Sequence, residues 1–259
     1  MRLEPPPRHH QILRLLPESA EAIVCRVTAY VGQTRSRKLV AELAALGIGE
    51  CFRRKESRWP PRRTPWFYDN GAFGDWKSGQ PFDVRAFESD LAVIRAGSVG
   101  RPDFIVCPDK VAGGRDSLAF SMEWLPRLRS LCPGQRVYLV VQDGMVEDDL
   151  PLGLGSYVQG IFVGGTRDWK LETGPRWVRV AHKNALPCHI GRVGTGERVR
   201  WARLIGADSL DSSLPLWGAD NLRIFVDSLF GPGPLRQYRK GHDEQEAFLR
   251  TPRQGRLAL

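Results

Sequence analysis

The sequence predicts a single-domain α/β protein built as a (β/α)8 barrel, and three observations point to it. Apolar runs of strand character alternate with segments of helical spacing along most of the chain. The run at 137–142 is almost continuously apolar, as in a parallel sheet buried on both faces. Eight strand-like runs can be counted, the number that closes a barrel rather than leaving an open doubly wound sheet.

In chain order, the Pro-rich residues 1–20, which include His9 and His10, read as an N-terminal leader, and the barrel occupies 21–230. A β-type run at 22–30 is followed by helical spacing at 36–46. A short strand at 51–54 leads into a basic Pro/Trp segment at 58–66, and 66–73 reads as the next strand. Val84, Phe87, Leu91 and Ile94, at spacings of three and four, mark one face of a helix. A strand at 103–108 precedes a second such face, made by Leu118, Met122, Leu125 and Leu128. Beyond the apolar strand at 137–142 come a strand at 160–165 and a helix at 171–186, whose start Pro175 disturbs. Then follow a strand at 188–193, a helix at 197–205, a strand at 209–212 and a closing helix at 221–229. The tail, 231–259, is polar and basic; it reads as a solvated terminus or as a helix at 244–249 that docks on nucleic acid.

Composition narrows the function classes. A net charge of +9 and a pI near 9.7 favour a polyanionic partner, nucleic acid before membrane. The five cysteines, Cys25, Cys51, Cys107, Cys132 and Cys188, are scattered and form no CxxC pair. That spacing offers neither a zinc signature nor a disulfide framework, and it points to a reducing, cytoplasmic setting. No apolar stretch approaches a membrane span, and the N-terminus lacks a signal-peptide apolar core.

In a barrel of this class the reactive groups sit at the C-terminal ends of the strands. Those ends carry Asp69, Asp109, Gln142 with Asp143, Gly164 with Gly165, Gly194, and Asp208 with Asp211. Each also has a plainer reading. Asp69-Asn70-Gly71 fits a hairpin turn, Asp109 a cap or turn residue, Gln142-Asp143-Gly144 a loop, and Asp208 the cap of a short turn. Gly164-Gly165 reads as a turn, or as backbone that approaches a flat ligand with its amides free to bind it. Arg53, Arg54, Arg58, Arg62 and Arg63 interleave with Trp59 and Trp66. They read either as a phosphate-tracking strip with stacking aromatics or as a solvated loop over two core tryptophans. His182 reads as a helix-surface residue and His189 as structural; no histidine has metal-ligand spacing with a partner.

Taken in order, the motifs resemble those of the tRNA-guanine transglycosylase superfamily. They are Asp69-Asn70-Gly71-Ala72-Phe73, Cys107-Pro108-Asp109, Val141-Gln142-Asp143-Gly144, Phe162-Val163-Gly164-Gly165, Val193-Gly194-Thr195-Gly196-Glu197 and Asp208-Ser209-Leu210-Asp211-Ser212. The resemblance covers residues 60–215. The family's tRNA enzymes hold zinc in a CxCxxC…H cluster after the last of these motifs, whereas here no cysteine follows Cys188. The chain is therefore most similar to the short DNA guanine transglycosylases of phages and mobile elements.

The resemblance implies exchange of guanine, in DNA more than in tRNA, for a 7-deazaguanine base such as preQ0 or preQ1, with no metal or other cofactor. It assigns the nucleophile to Asp211 and general acid/base work to Asp69. Base binding falls to Asp109, Gln142, Gly164, Gly165 and Phe73, and Asp208 becomes an orienting residue near the substrate. Three alternatives are a tRNA enzyme, a nucleoside or DNA glycosidase in which water resolves the intermediate, and a non-catalytic nucleic-acid-binding barrel.

Overall fold

The structure, a computed structural model, describes residues 27–231. The leader, Cys25 and the basic tail lie outside the described residues. Eight parallel strands close into one barrel in sequence order, as the strand count predicts. They are β1 (Thr28–Gly32), β2 (Gly49–Arg53), β3 (Trp66–Asp69), β4 (Ile105–Val106), β5 (Val137–Val141), β6 (Gly160–Val163), β7 (Cys188–Ile190) and β8 (Ser209–Ser212). Closure is made by β1 on β8, with Thr28 beside Ser209 and Tyr30 beside Asp211.

Among the described residues seven α-helices accompany the barrel: α1 (Arg37–Ala45), α2 (Ala72–Lys77), α3 (Val84–Arg95), α4 (Gly114–Leu131), α5 (Arg167–Lys183), α6 (Gly196–Leu204) and α7 (Ala219–Phe230). Local chemistry sets several starts. The Ser36 hydroxyl accepts from the Leu39 amide to cap α1, Asp83 accepts from Ala86 to cap α3, and Thr195 caps α6. Pro175 lies inside α5, which begins four residues before the predicted start. Gly174 beside it is required by packing: a Cβ there would stand 2.7 Å from the Trp201 ring of α6.

Side chains alternate between two cores, as period-2 strands require. The outer core joins the barrel to the helices and is aliphatic and aromatic. The inner one holds Tyr30, Cys51, Phe67, Phe104, Val106, Tyr138, Val140 and Phe162. Within it Phe104 stacks on Tyr138 at 3.9 Å and on Phe67 at 4.6 Å, plugging the lower barrel so that only its C-terminal mouth remains open to chemistry.

Two departures from the predicted alternation matter. The strand expected at 66–73 stops at Asp69, because Asn70 and Gly71 turn the chain directly into α2. The Asn70 side chain accepts from the Ala72 amide at 2.8 Å, and Gly71 takes φ +75. The Asn-Gly signal is thus a real turn, leading to a helix rather than a hairpin. Between β2 and β3 there is no α-helix at all. There the basic segment covers the outside of the barrel, with Arg63 buried against Glu50 and donating to the carbonyls of Val31, Gly32 and Gly49. Among the described residues no helix is long and apolar enough to cross a membrane.

Candidate active site

β8 places Asp211 inside the barrel near its mouth, in register with Tyr30. Its Oδ1 accepts two bonds, from His189 Nε2 at 3.0 Å and from the Arg192 amide at 3.0 Å. His189, on β7, is wholly buried; its Nδ1 meets Ser209 Oγ at 2.8 Å, and its ring stacks on Phe162 at 4.6 Å. Burial alone would raise the Asp211 carboxyl. The His189 hydrogen bond and charge, the Arg192 amide and Lys170 outweigh it and hold Asp211 below the usual carboxylate range.

Asp69 ends β3 in register with Arg53 and accepts from the Gly71 amide at 2.8 Å. Here burial wins, and the negative charge of Asp211 adds to it, so Asp69 is pushed up despite that amide and Arg53. The two carboxyls therefore sense one another and are driven in opposite directions, the arrangement that separates an ionised nucleophile from a proton carrier. Cys51, inward-facing on β2, has its thiol pushed well up by burial, which makes it a poor nucleophile.

The resemblance also grouped Asp109 with Gln142, and these side chains meet. Asp109 accepts from Gln142 Nε2 at 2.5 Å and from Asn70 Nδ2 at 2.7 Å. Burial pushes Asp109 up to about 6, against the pull of those two amides and with help from the Asp69 charge. Gly164 leaves the room Gln142 needs, since a Cβ would come within 2.8 Å of Nε2. Its amide is not free for a ligand, because it donates to the Val141 carbonyl. Gly165 takes φ +72, and its carbonyl accepts from Arg192 at 3.1 Å. Phe73, on the first turn of α2, lies 3.8 Å beneath the Arg192 guanidinium and 5.7 Å from the ring of the exposed Trp76.

Three expectations are corrected. Asp208 lies at the opposite end of the barrel, beyond reach of a substrate at the mouth. It accepts from the Cys188 amide at 2.7 Å and from His182 at 2.9 Å, and its own amide bonds the Cys188 carbonyl at the start of β7. The reason is the strand period: Asp208 and Asp211, three residues apart, face opposite sides and stand about 10 Å apart along the strand. Arg54 and Arg63 are buried and structural. Arg54 pairs with Asp75 and donates to the Asn70 carbonyl at 2.6 Å; Arg63 braces β1 and β2. Trp59 stacks on Phe52 at 4.1 Å, inside the wall rather than presented to a base. Arg53, Arg58 and Arg62 remain exposed; Arg53 ends β2 at the mouth and pairs with Glu56, the Arg58 amide donates to Gln33, and Arg62 donates to the Thr34 carbonyl.

Sequence reasoning missed His189, Arg192, Asn70 and Lys170. A polar residue at an inward position of an apolar strand was the available signal for His189. Arg192 had none, since its amide matters as much as its side chain.

A cavity of about 340 Å³ adjoins the carboxylates, lined by Phe73, Gly165, Lys170, Arg192, Arg198 and Trp201 among others. It does not contain Asp69 or Asp211; Arg192 is shared between the two places. Fold and site together define a (β/α)8 barrel with an unequal carboxylate pair at its mouth. No family model matches the sequence, and no curated protein matches it. Among solved structures it is similar to the N-acetylneuraminate lyase (sialic acid aldolase) of Aliivibrio salmonicida, at 11% identity and TM-score 0.48, over 86% of this chain and 78% of that one. It is also similar to the 3-hexulose-6-phosphate synthase of Salmonella typhimurium, at 9% identity and TM-score 0.47, over 78% and 98%. Likeness this distant adds nothing to the topology read directly from the strands.

Proposed function

We propose that the chain is an enzyme, a base-exchange glycosyltransferase that replaces guanine in nucleic acid, DNA before tRNA, with a 7-deazaguanine base. The observation that carries this reading is the asymmetry of the pair: Asp211 held ionised by His189 and the Arg192 amide, Asp69 pushed toward its protonated form. Both bonds to Asp211 fall on Oδ1, which leaves Oδ2 to attack C1′ of the target nucleoside. As the C1′–O bond forms and the C1′–N bond breaks, Asp69 gives its proton to the departing guanine. The incoming base then yields a proton to Asp69 and displaces the carboxylate, so configuration is retained. Asp109 accepts from the N–H groups on the Watson–Crick edge, with Gln142 beside it. A net charge of +9 supports a polyanionic acceptor, whose target base must leave its stack to reach the barrel mouth.

The test is exchange of labelled guanine into DNA and, separately, tRNA, with nucleosides read by mass spectrometry. Label should enter with the wild-type chain and not with Asp211→Asn. Abasic sites without label would make the protein a glycosidase; exchange undiminished in Asp211→Asn would remove the nucleophile assignment.

A further inference from the structure

We propose that the cavity beside the carboxylate pair is an anion subsite, taking a phosphate or carboxylate group carried on a ring-sized body. Four cations line it: Arg167, which pairs with Asp168, and Lys170 of α5, Arg192 after β7 and Arg198 of α6. Lys170 is 7% exposed, yet among the described residues its ammonium has one hydrogen-bond acceptor, the Gly191 carbonyl. An ammonium carries three donors, and a buried cation is costly without a counter-charge. The Arg192 guanidinium likewise rests on a neutral group, the Gly165 carbonyl.

Nearby acids have partners of their own. Asp168 pairs with Arg167, Asp143 accepts from the amide and hydroxyl of Thr166, and Asp211 from His189 and the Arg192 amide. Burial, then the charges of Arg192 and Arg198, push Lys170 down to about 7, although Asp211 and Asp143 oppose them. That balance marks a positive excess which an entering anion would neutralise. α5 begins on the same wall, at Arg167, and adds the positive end of its dipole. Leu171, Ile190 and Trp201 make the remaining wall apolar, and the volume exceeds what a lone phosphate fills. The ligand is therefore an anion attached to a ring.

The identity of that ring rests on the transglycosylase reading. Its two sources are a phosphate of the acceptor nucleotide and an acidic substituent on the incoming base. Because Arg192 touches both Asp211 and the cavity, either ligand would lie beside the reacting centre.

The experiment is calorimetric titration of the full chain with inorganic phosphate. Saturable binding is expected, weakened about tenfold or more in Lys170→Met and in Arg198→Ala. Arg198 is only half-buried, so its variant answers the question if Lys170→Met fails to fold. No saturable binding, or binding equal to wild type in the folded variants, overturns the proposal. Two arms separate the sources. An oligonucleotide with a neutral methylphosphonate beside the target base should lose affinity for wild type but not for Lys170→Met if the acceptor supplies the anion. A 7-carboxylated base should outbind its carboxamide on wild type alone if the incoming base supplies it. Indifference of Lys170 in both arms also overturns the proposal. Phosphate binding reads no turnover: a chain that binds it but exchanges no base keeps the subsite and loses the transglycosylase reading.

Discussion

The barrel holds two aspartate–histidine pairs, one at each end, and they differ in everything but composition. At the mouth, Asp211 meets His189, whose side chain is 0% exposed, and the pair's remaining side-chain hydrogen bonds go to a backbone amide and a buried hydroxyl. At the floor, Asp208 meets His182, with side chains 38% and 46% exposed. An exposed pair in water contributes little. A buried pair is strongly coupled, so its geometry sets which oxygen is free and which group is ionised. A step of three positions along the chain separates a candidate nucleophile from a surface contact.

The sharpest way to break this contrast is to neutralise both aspartates in turn. Asp211→Asn should lower base exchange by at least about 10³-fold. Asp208→Asn should leave it within about twofold and cost under about 1 kcal/mol of stability. Equal losses in single-turnover assays would erase the distinction between the two ends. The next largest effect belongs to the arginines. Arg63→Met leaves the buried Glu50 without its counter-charge, though still bonded to Gln33 and the Arg62 amide, and should cost about 3 kcal/mol in denaturant unfolding, with the salt dependence of DNA binding unchanged. Arg53→Ala at the mouth should leave stability nearly intact and reduce the salt slope by about one. A lowered slope in Arg63→Met would return that residue to the nucleic-acid surface.

His189→Gln removes the ring that fixes Oδ1 of Asp211. It should lower kcat about tenfold to a hundredfold with KM nearly constant, since the bond matters most as the carboxylate attacks. A change confined to KM would make His189 a packing residue only. The smallest effect is the pH dependence of Asp109. Its carboxyl must be ionised to accept from the base edge, so base binding should tighten as pH rises through about 6 and level off above it. Stability runs the other way. A carboxyl raised by folding favours the native state most below its unfolded value and loses that contribution as pH rises through about 6. Asp109→Asn should flatten both profiles.

Much of this was legible in the sequence, and the failures have physical reasons. Continuous apolar runs such as Val137–Val141, and helix faces such as Phe87, Leu91 and Ile94, announced the barrel because burial on one or two faces leaves a periodic trace. The meeting of Asp69, Asp109, Gln142 and Asp211 followed from reading strand ends in order. Asp208 was misplaced although the alternation that excludes it was there to be read. Arg54 and Arg63 could not be read, since a charge run looks the same whether water or Asp75 and Glu50 receive it. His189 stood out as a polar residue at an inward strand position, but its bond to Asp211 depended on the register of β7 against β8, a long-range pairing that no local pattern encodes.

Arg192 holds φ at 55, a left-handed conformation that costs a non-glycine residue about 1–2 kcal/mol. Glycine would adopt it freely and would still offer its amide to Asp211. Selection for a sturdier fold alone would therefore drift this position toward glycine. Lys55, Ala112 and Ala185 share the conformation, but at this position the glycine variant would also strip the guanidinium that lines the cavity beside Asp211.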